Sequence, residues 1–106
     1  MPKYLIQVKY TAEGARGVHK DGGTKRRDAA QNAAKSLGGN IESFHFSFGT
    51  HDVVTVVEMP DAVSMAALSM AVSESGAAEA VTTALLTVED LDHACGKHSA
   101  YKKPGA

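Results

Sequence analysis

Residues 44–61 read FHFSFGTHDVVTVVEMPD, two strand-like runs joined by a turn. The second run, VVTVV, is apolar at every position but one. Side chains on a strand alternate between its faces, so a sheet with one wet face alternates apolar and polar residues. This run does not alternate. Both faces of its sheet therefore need cover, and finding the two covers leads to a fold and an assembly.

The first run, residues 41–48, does alternate. Phe44, Phe46 and Phe48 share one face; Ile41, Ser43, His45 and Ser47 share the other. Gly49-Thr50-His51-Asp52 is the expected hairpin turn, glycine and aspartate being common turn residues. With Thr50 and His51 as the loop, Phe48 lies opposite Val53 and Phe46 opposite Thr55. One face then carries the phenylalanines with Val53, Thr55 and Val57. The other carries Ser43, His45 and Ser47 with Val54, Val56 and Glu58. A three-residue loop would reverse this assignment.

Working outward, residues 4–10 alternate as a strand, with Tyr4, Ile6, Val8 and Tyr10 on one face. Thr11 is placed to cap a weak helix over 12–20, which Gly22-Gly23 interrupts. A better helix runs over 24–37. Its stripe of Ala30, Ala33, Ala34 and Leu37 is mostly alanine, which predicts close packing on its neighbour. Gly38-Gly39 ends it. Pro60-Asp61 opens another helix, which runs to residue 75 and carries two apolar stripes. Val63, Ala67 and Met70 form one; Met65, Leu68 and Val72 form the other. Two stripes predict a helix more buried than a simple surface helix. Residues 79–86 form the last strand. Thr87 caps a short final helix with acidic residues at its positive end, fading near Gly96.

The order β-α-β-β-α-β plus a short helix is α+β and ferredoxin-like. Four antiparallel strands carry two helices on one face. The expected domain covers residues 1–96, with a loose tail over 97–106. The helices cover one sheet face, and Val54 and Val56 leave the other apolar. The simplest second cover is another copy of the chain, sheet to sheet about a two-fold axis.

Composition narrows the function classes. A chain of 106 residues fits one domain. A formal net charge of −1 gives no general attraction for nucleic acid or an anionic membrane. RNA-binding domains of this topology stack bases on aromatics of their central strands, and VVTVVE has none. No apolar run is long enough to span a bilayer, and the N-terminal stretch does not read as a signal peptide. One cysteine, Cys95, permits no intrachain disulfide. A cytoplasmic protein is expected.

The segments MPKYLIQVKYT, GGTKRR, SLGGNIESFHFSFGTHDVV, VEMPD, SESGA and ALLTVEDLDHA, in that order and spacing, resemble the GYD-domain proteins, a small bacterial family. The resemblance runs from Met1 to about Ala94. It places the family's glycine and aspartate on Gly49 and Asp52, with His51 at the tyrosine position. The family resembles in turn the dimeric α/β-barrel group, where two ferredoxin-like units pair sheet against sheet. That group includes cofactor-free monooxygenases, haem-binding members and stress-responsive proteins. The resemblance implies the fold and the dimer and leaves the chemistry open.

Several residues are candidates for chemistry. His51 and Asp52 offer an acid/base pair, although adjacent residues orient each other poorly and plain turn chemistry is the preferred reading. His45, with Ser43, Ser47, Gln7 and Lys9, could line a polar pocket within or beside a dimer barrel, with His45 as base or hydrogen-bond donor. The alternative is an interface histidine satisfied by the partner chain. Arg26 and Arg27 follow Gly22-Gly23 and could hold an anion. Surface pairing with Glu13, Asp21 or Asp28 is the competing reading. His93-x-Cys95-x-x-His98 lacks the geometry of a metal set, since residues two apart on a helix diverge. A haem would need an axial histidine in a roomy apolar pocket, and His45 is the sole candidate. No metal and no cofactor are expected. The leading expectation is a small-molecule-binding homodimer, with its pocket between sheet and helices or at the dimer seam. The alternatives are a cofactor-independent monooxygenase or isomerase using His45 or His51 as base, and a structural or stress-linked interaction protein.

Overall fold

The alternation at the N-terminus becomes β1 (Lys3–Tyr10), a central strand of the sheet. In the computed structural model, which describes all 106 residues, α1 (Ala12–Asp21), α2 (Gly23–Ser36), β2 (Asn40–Phe46) and β3 (Val53–Glu58) follow. The chain continues through α3 (Ala62–Glu74), β4 (Ala78–Leu85) and α4 (Val88–Cys95). The strands lie in the order β2-β3-β1-β4, each neighbouring pair antiparallel. This is an α+β, ferredoxin-like fold.

Three helices start on side-chain caps. Thr11 Oγ1 accepts the Gly14 N–H at 3.2 Å, and an Asp61 carboxylate oxygen accepts the Ser64 N–H at 2.7 Å. Thr87 and Asp90 exchange reciprocal bonds of 2.9 and 3.1 Å at the head of α4. Each such cap contributes about 1 kcal/mol. Only Gly22, at φ 81°, separates α1 from α2, and its N–H closes α1 on the Val18 carbonyl at 2.8 Å.

Register sorts the sheet into two faces. Tyr4, Ile6 and Val8 stand opposite Val57, Thr55 and Val53, and this face lies under the helices. α2 packs over β2, and α3 packs over β4. Tyr4, Ile6 and Val57 join Ala34, Met59, Met65 and Leu68 in the buried core. The opposite face, open in the single chain, carries Leu5 beside Val56, and Gln7 between Val54 and Val81.

Three local expectations are corrected. β2 ends at Phe46, which pairs with Val53, while Phe44 pairs with Thr55. The expected faces hold, but the register moves by two residues and Phe48 stands fully exposed outside the strand. The cause is Asp52, whose N–H donates to the Val8 carbonyl at 2.7 Å and whose carboxylate accepts the Tyr10 N–H at 2.8 Å. Held by β1, Asp52 starts the return strand, and Ser47 N–H meets its carbonyl at 2.8 Å. Ile41 stands opposite Val57, on the helix side, because a bulge at Glu42 inserts one residue between Ile41 and Ser43. On α3 only the stripe of Met65, Leu68 and Val72 turns inward; Val63 and Met70 are exposed. A helix on the outside of a two-layer sandwich has only one neighbour to pack against.

α1 is fastened to the head of β4. Thr11 N–H donates to the Ala77 carbonyl and Thr11 Oγ1 to the Gly76 carbonyl, both at 3.0 Å. Gly14 lies so close that a Cβ there would overlap the Ala77 carbonyl oxygen.

The chain is elongated, 55 × 33 × 23 Å, because its C-terminal part projects from the body. Every residue from Val81 onward is exposed. The radius of gyration is 16.7 Å, against about 13 Å for a compact domain of this length. The accessible surface is 7426 Å², against roughly 5,700 Å² for a folded monomer of this mass.

Candidate functional site

The helix layer does not fill the space above the sheet. A cavity of about 170 Å³ lies between α2, α3 and the strands. Its floor is Ile6 and Val8 of β1 with Val53, Thr55 and Val57 of β3. Phe44 and Ile41 of β2 line it, as do Leu68 and Val72 of α3. α2 contributes Ala29, Ala30 and Ala33, whose single methyl groups leave the volume open. Tyr10 and Ala78, paired across β1 and β4, complete the lining with Arg26.

The alanine stripe thus does two things. Ala34 is completely buried, as close packing predicts. Its neighbours Ala29, Ala30 and Ala33, within about a turn and a half of it, border the cavity with it.

The cavity is almost wholly apolar. The hydroxyl of Thr55 donates to the Ser43 carbonyl at 2.7 Å, which accounts for a polar residue in the core. No buried side-chain nitrogen or oxygen lacks a hydrogen-bond partner. The apolar walls suit an apolar guest, and the space opens to solvent at one side, where Ala29 and Ala33 are exposed. Phe44 is steadied by Phe46, the rings meeting edge-to-face at 5.3 Å and 78°. No histidine, carboxylate or thiol lines the space, so its chemistry is that of binding.

The residues proposed from sequence fall in three places. Gln7 and His45 flank Val54 on the open face of the sheet, and Ser43 flanks Val56 there. Lys9, Ser47, His51 and Asp52 gather at the β2–β3 turn. There the Lys9 ammonium lies 3.5 Å from an Asp52 carboxylate oxygen, and Ser47 Oγ donates to the His51 carbonyl at 2.6 Å. Arg26 alone reaches the cavity. Arg27 turns away to its neighbour Asp28 at 3.3 Å, with both side chains exposed. His93 and the exposed Cys95 lie on α4, and His98 follows beyond it. No group of three or more His, Cys, Asp or Glu residues is placed to hold a metal ion.

Two side chains have displaced pKa values, and neither belongs to the cavity. Hydrogen bonding and charge attraction to Glu42 raise Lys3, whose ammonium is 2.9 Å from the carboxylate. Asp61 is lowered by the Ser64 N–H that it accepts as helix cap. No helix is long and apolar enough to cross a membrane.

Topology and cavity together define a ferredoxin-like α+β domain that is hollow under its helices. The chain matches the GYD domain over residues 4–95 and belongs to that family. No curated protein and no solved structure matches it.

Proposed function

We propose that the chain is a cytoplasmic small-molecule-binding protein that works as a homodimer, joined through the open face of the sheet. The observation that carries the binding reading is the cavity under α2. At about 170 Å³ it matches in volume, though not in enclosure, the engineered cavities of roughly 150 Å³ that take up benzene in other proteins. A domain acting only as a structural or interaction module has no use for a void that forfeits packing. An enzyme of the monooxygenase or isomerase kind would need His45 or His51 as base, and neither lines the cavity. Binding is therefore preferred over turnover.

The dimer rests on surface area. The chain exposes about 1,700 Å² more than a compact monomer of its mass, an excess shared between the open sheet face and the exposed C-terminal part. A standard interface takes about 800 Å² from each partner. Leu5, Val54, Val56 and Val81 supply an apolar centre for such an interface, and Gln7, Ser43 and His45 would lie within or beside the seam.

Small apolar compounds screened by thermal shift, followed by amide chemical-shift mapping, test the binding reading. Hits should move the amides of Ala30, Phe44 and Leu68. A screen whose hits map only to the open face or the turn would defeat it. Sedimentation should give twice the 11.1 kDa chain mass; a stable single chain at micromolar concentration defeats the dimer.

A further inference from the structure

Resting on the reading of the cavity as a ligand site, we propose that the ligand is a compact apolar carboxylate, one ring or a branched chain of similar bulk, with Arg26 as its counter-ion. The polar groups of the lining carry this. Only Arg26, Thr55 and Tyr10 among the lining residues have polar side-chain atoms. Thr55 has committed its proton to the Ser43 carbonyl. Tyr10 enters the hydrogen-bond network through its backbone N–H, leaving the phenol free to donate.

Arg26 is the only charged residue in the lining. It is half-buried, and the ion pairs of the chain are Lys3–Glu42, Lys9–Asp52 and Arg27–Asp28. Two consecutive arginines therefore differ: Arg27 has a carboxylate beside it on the surface, and Arg26 borders apolar space without one. A neutral guest would strip water from the guanidinium and return at most a neutral acceptor. A cationic guest would be repelled. A carboxylate matches the planar fork with two parallel hydrogen bonds. The volume sets the part of the molecule that is held, since a space of about 170 Å³ accommodates a single ring or a branched chain of similar bulk.

Benzoate, benzamide and benzamidine share one planar shape and carry negative, neutral and positive charge, so the trio isolates the role of Arg26. Titration of the full chain near neutral pH should rank benzoate above benzamide by at least about tenfold, the worth of a charge-assisted hydrogen bond. Benzamidine should not bind. Arg26→Gln should bring benzoate down to the level of benzamide and change benzamide by far less. Ala30→Leu should shut out all three, and Val72→Phe fills the same space should the first variant fail to fold. Equal binding of benzoate and benzamide, or benzoate binding untouched by Arg26→Gln, overturns the carboxylate assignment while cavity binding stands. If neither the trio nor toluene moves the amides of Ala30, Phe44 and Leu68, the ligand class and the underlying binding reading both fall.

Discussion

The Asp52 carboxylate accepts the backbone N–H of Tyr10 at 2.8 Å, finishing with a side chain the ladder that β1 and β3 make with their backbones. The last backbone pair is Val8 with Val53, so Tyr10 N–H would otherwise face a strand that has already ended. Asp52→Ala removes this acceptor and should lower unfolding free energy by about 1–3 kcal/mol, the range for a charged hydrogen-bonding group. Asp52→Asn keeps an acceptor and should lose less. Urea unfolding measures both. Wild-type stability in the alanine variant would show that the residue is there for something other than the fold.

The two glycines of α1 should respond in opposite directions. Gly14→Ala drives a methyl group into the Ala77 carbonyl, and overpacking of this kind costs about 1–3 kcal/mol. Nothing lies near a Cβ at Gly17, so Gly17→Ala should stabilise by about 0.5–1 kcal/mol through helix propensity. Thermal melts of the pair check the contrast. A neutral Gly14→Ala would mean that α1 is not seated on the head of β4.

Asp61 gives the stability a defined acid limb. Its folded pKa lies below the ordinary value of 3.8, because the Ser64 N–H stabilises the carboxylate. A depressed folded pKa makes the contribution complete above the unfolded value and lost as pH falls through the folded one. Below about pH 4, wild type should therefore lose melting temperature faster than Asp61→Asn. Parallel curves would remove the cap from the account.

Charge placed on the open face should separate the protomers. Val81 is exposed on β4 and sits at the proposed seam. Burying an unpaired carboxylate there costs several kcal/mol, so Val81→Asp should weaken dimerisation by at least about a hundredfold. Val63→Asp, on the exposed outer stripe of α3, should leave sedimentation unchanged. Dissociation by Val63→Asp with an intact Val81→Asp dimer would move the interface to the helix layer.

Element order, helix caps and sheet faces were legible because periodicity and cap chemistry are local. Thr11, Asp61 and Thr87 each cap the helix that sequence placed after them. Ile41 was misplaced because a bulge is set by pairing with the next strand, which no single strand declares. The hairpin register was missed because Asp52 answers to β1, over forty residues away in sequence. The two-stripe pattern on α3 states what could be buried, and the two-layer architecture decides what is. Of the site, sequence singled out Arg26 for its glycine neighbours and its charge. The cavity beside it needs the distances between layers, and a run of alanines looks the same whether it closes a gap or leaves one.

The lone thiol of Cys95 sits exposed on the projecting final helix. The wild-type chain is thus ready for site-selective labelling without any substitution. One spin probe per protomer turns an assembled pair into a two-point ruler. A single pulsed-resonance distance would then report whether the arms embrace the neighbouring subunit or trail into solvent.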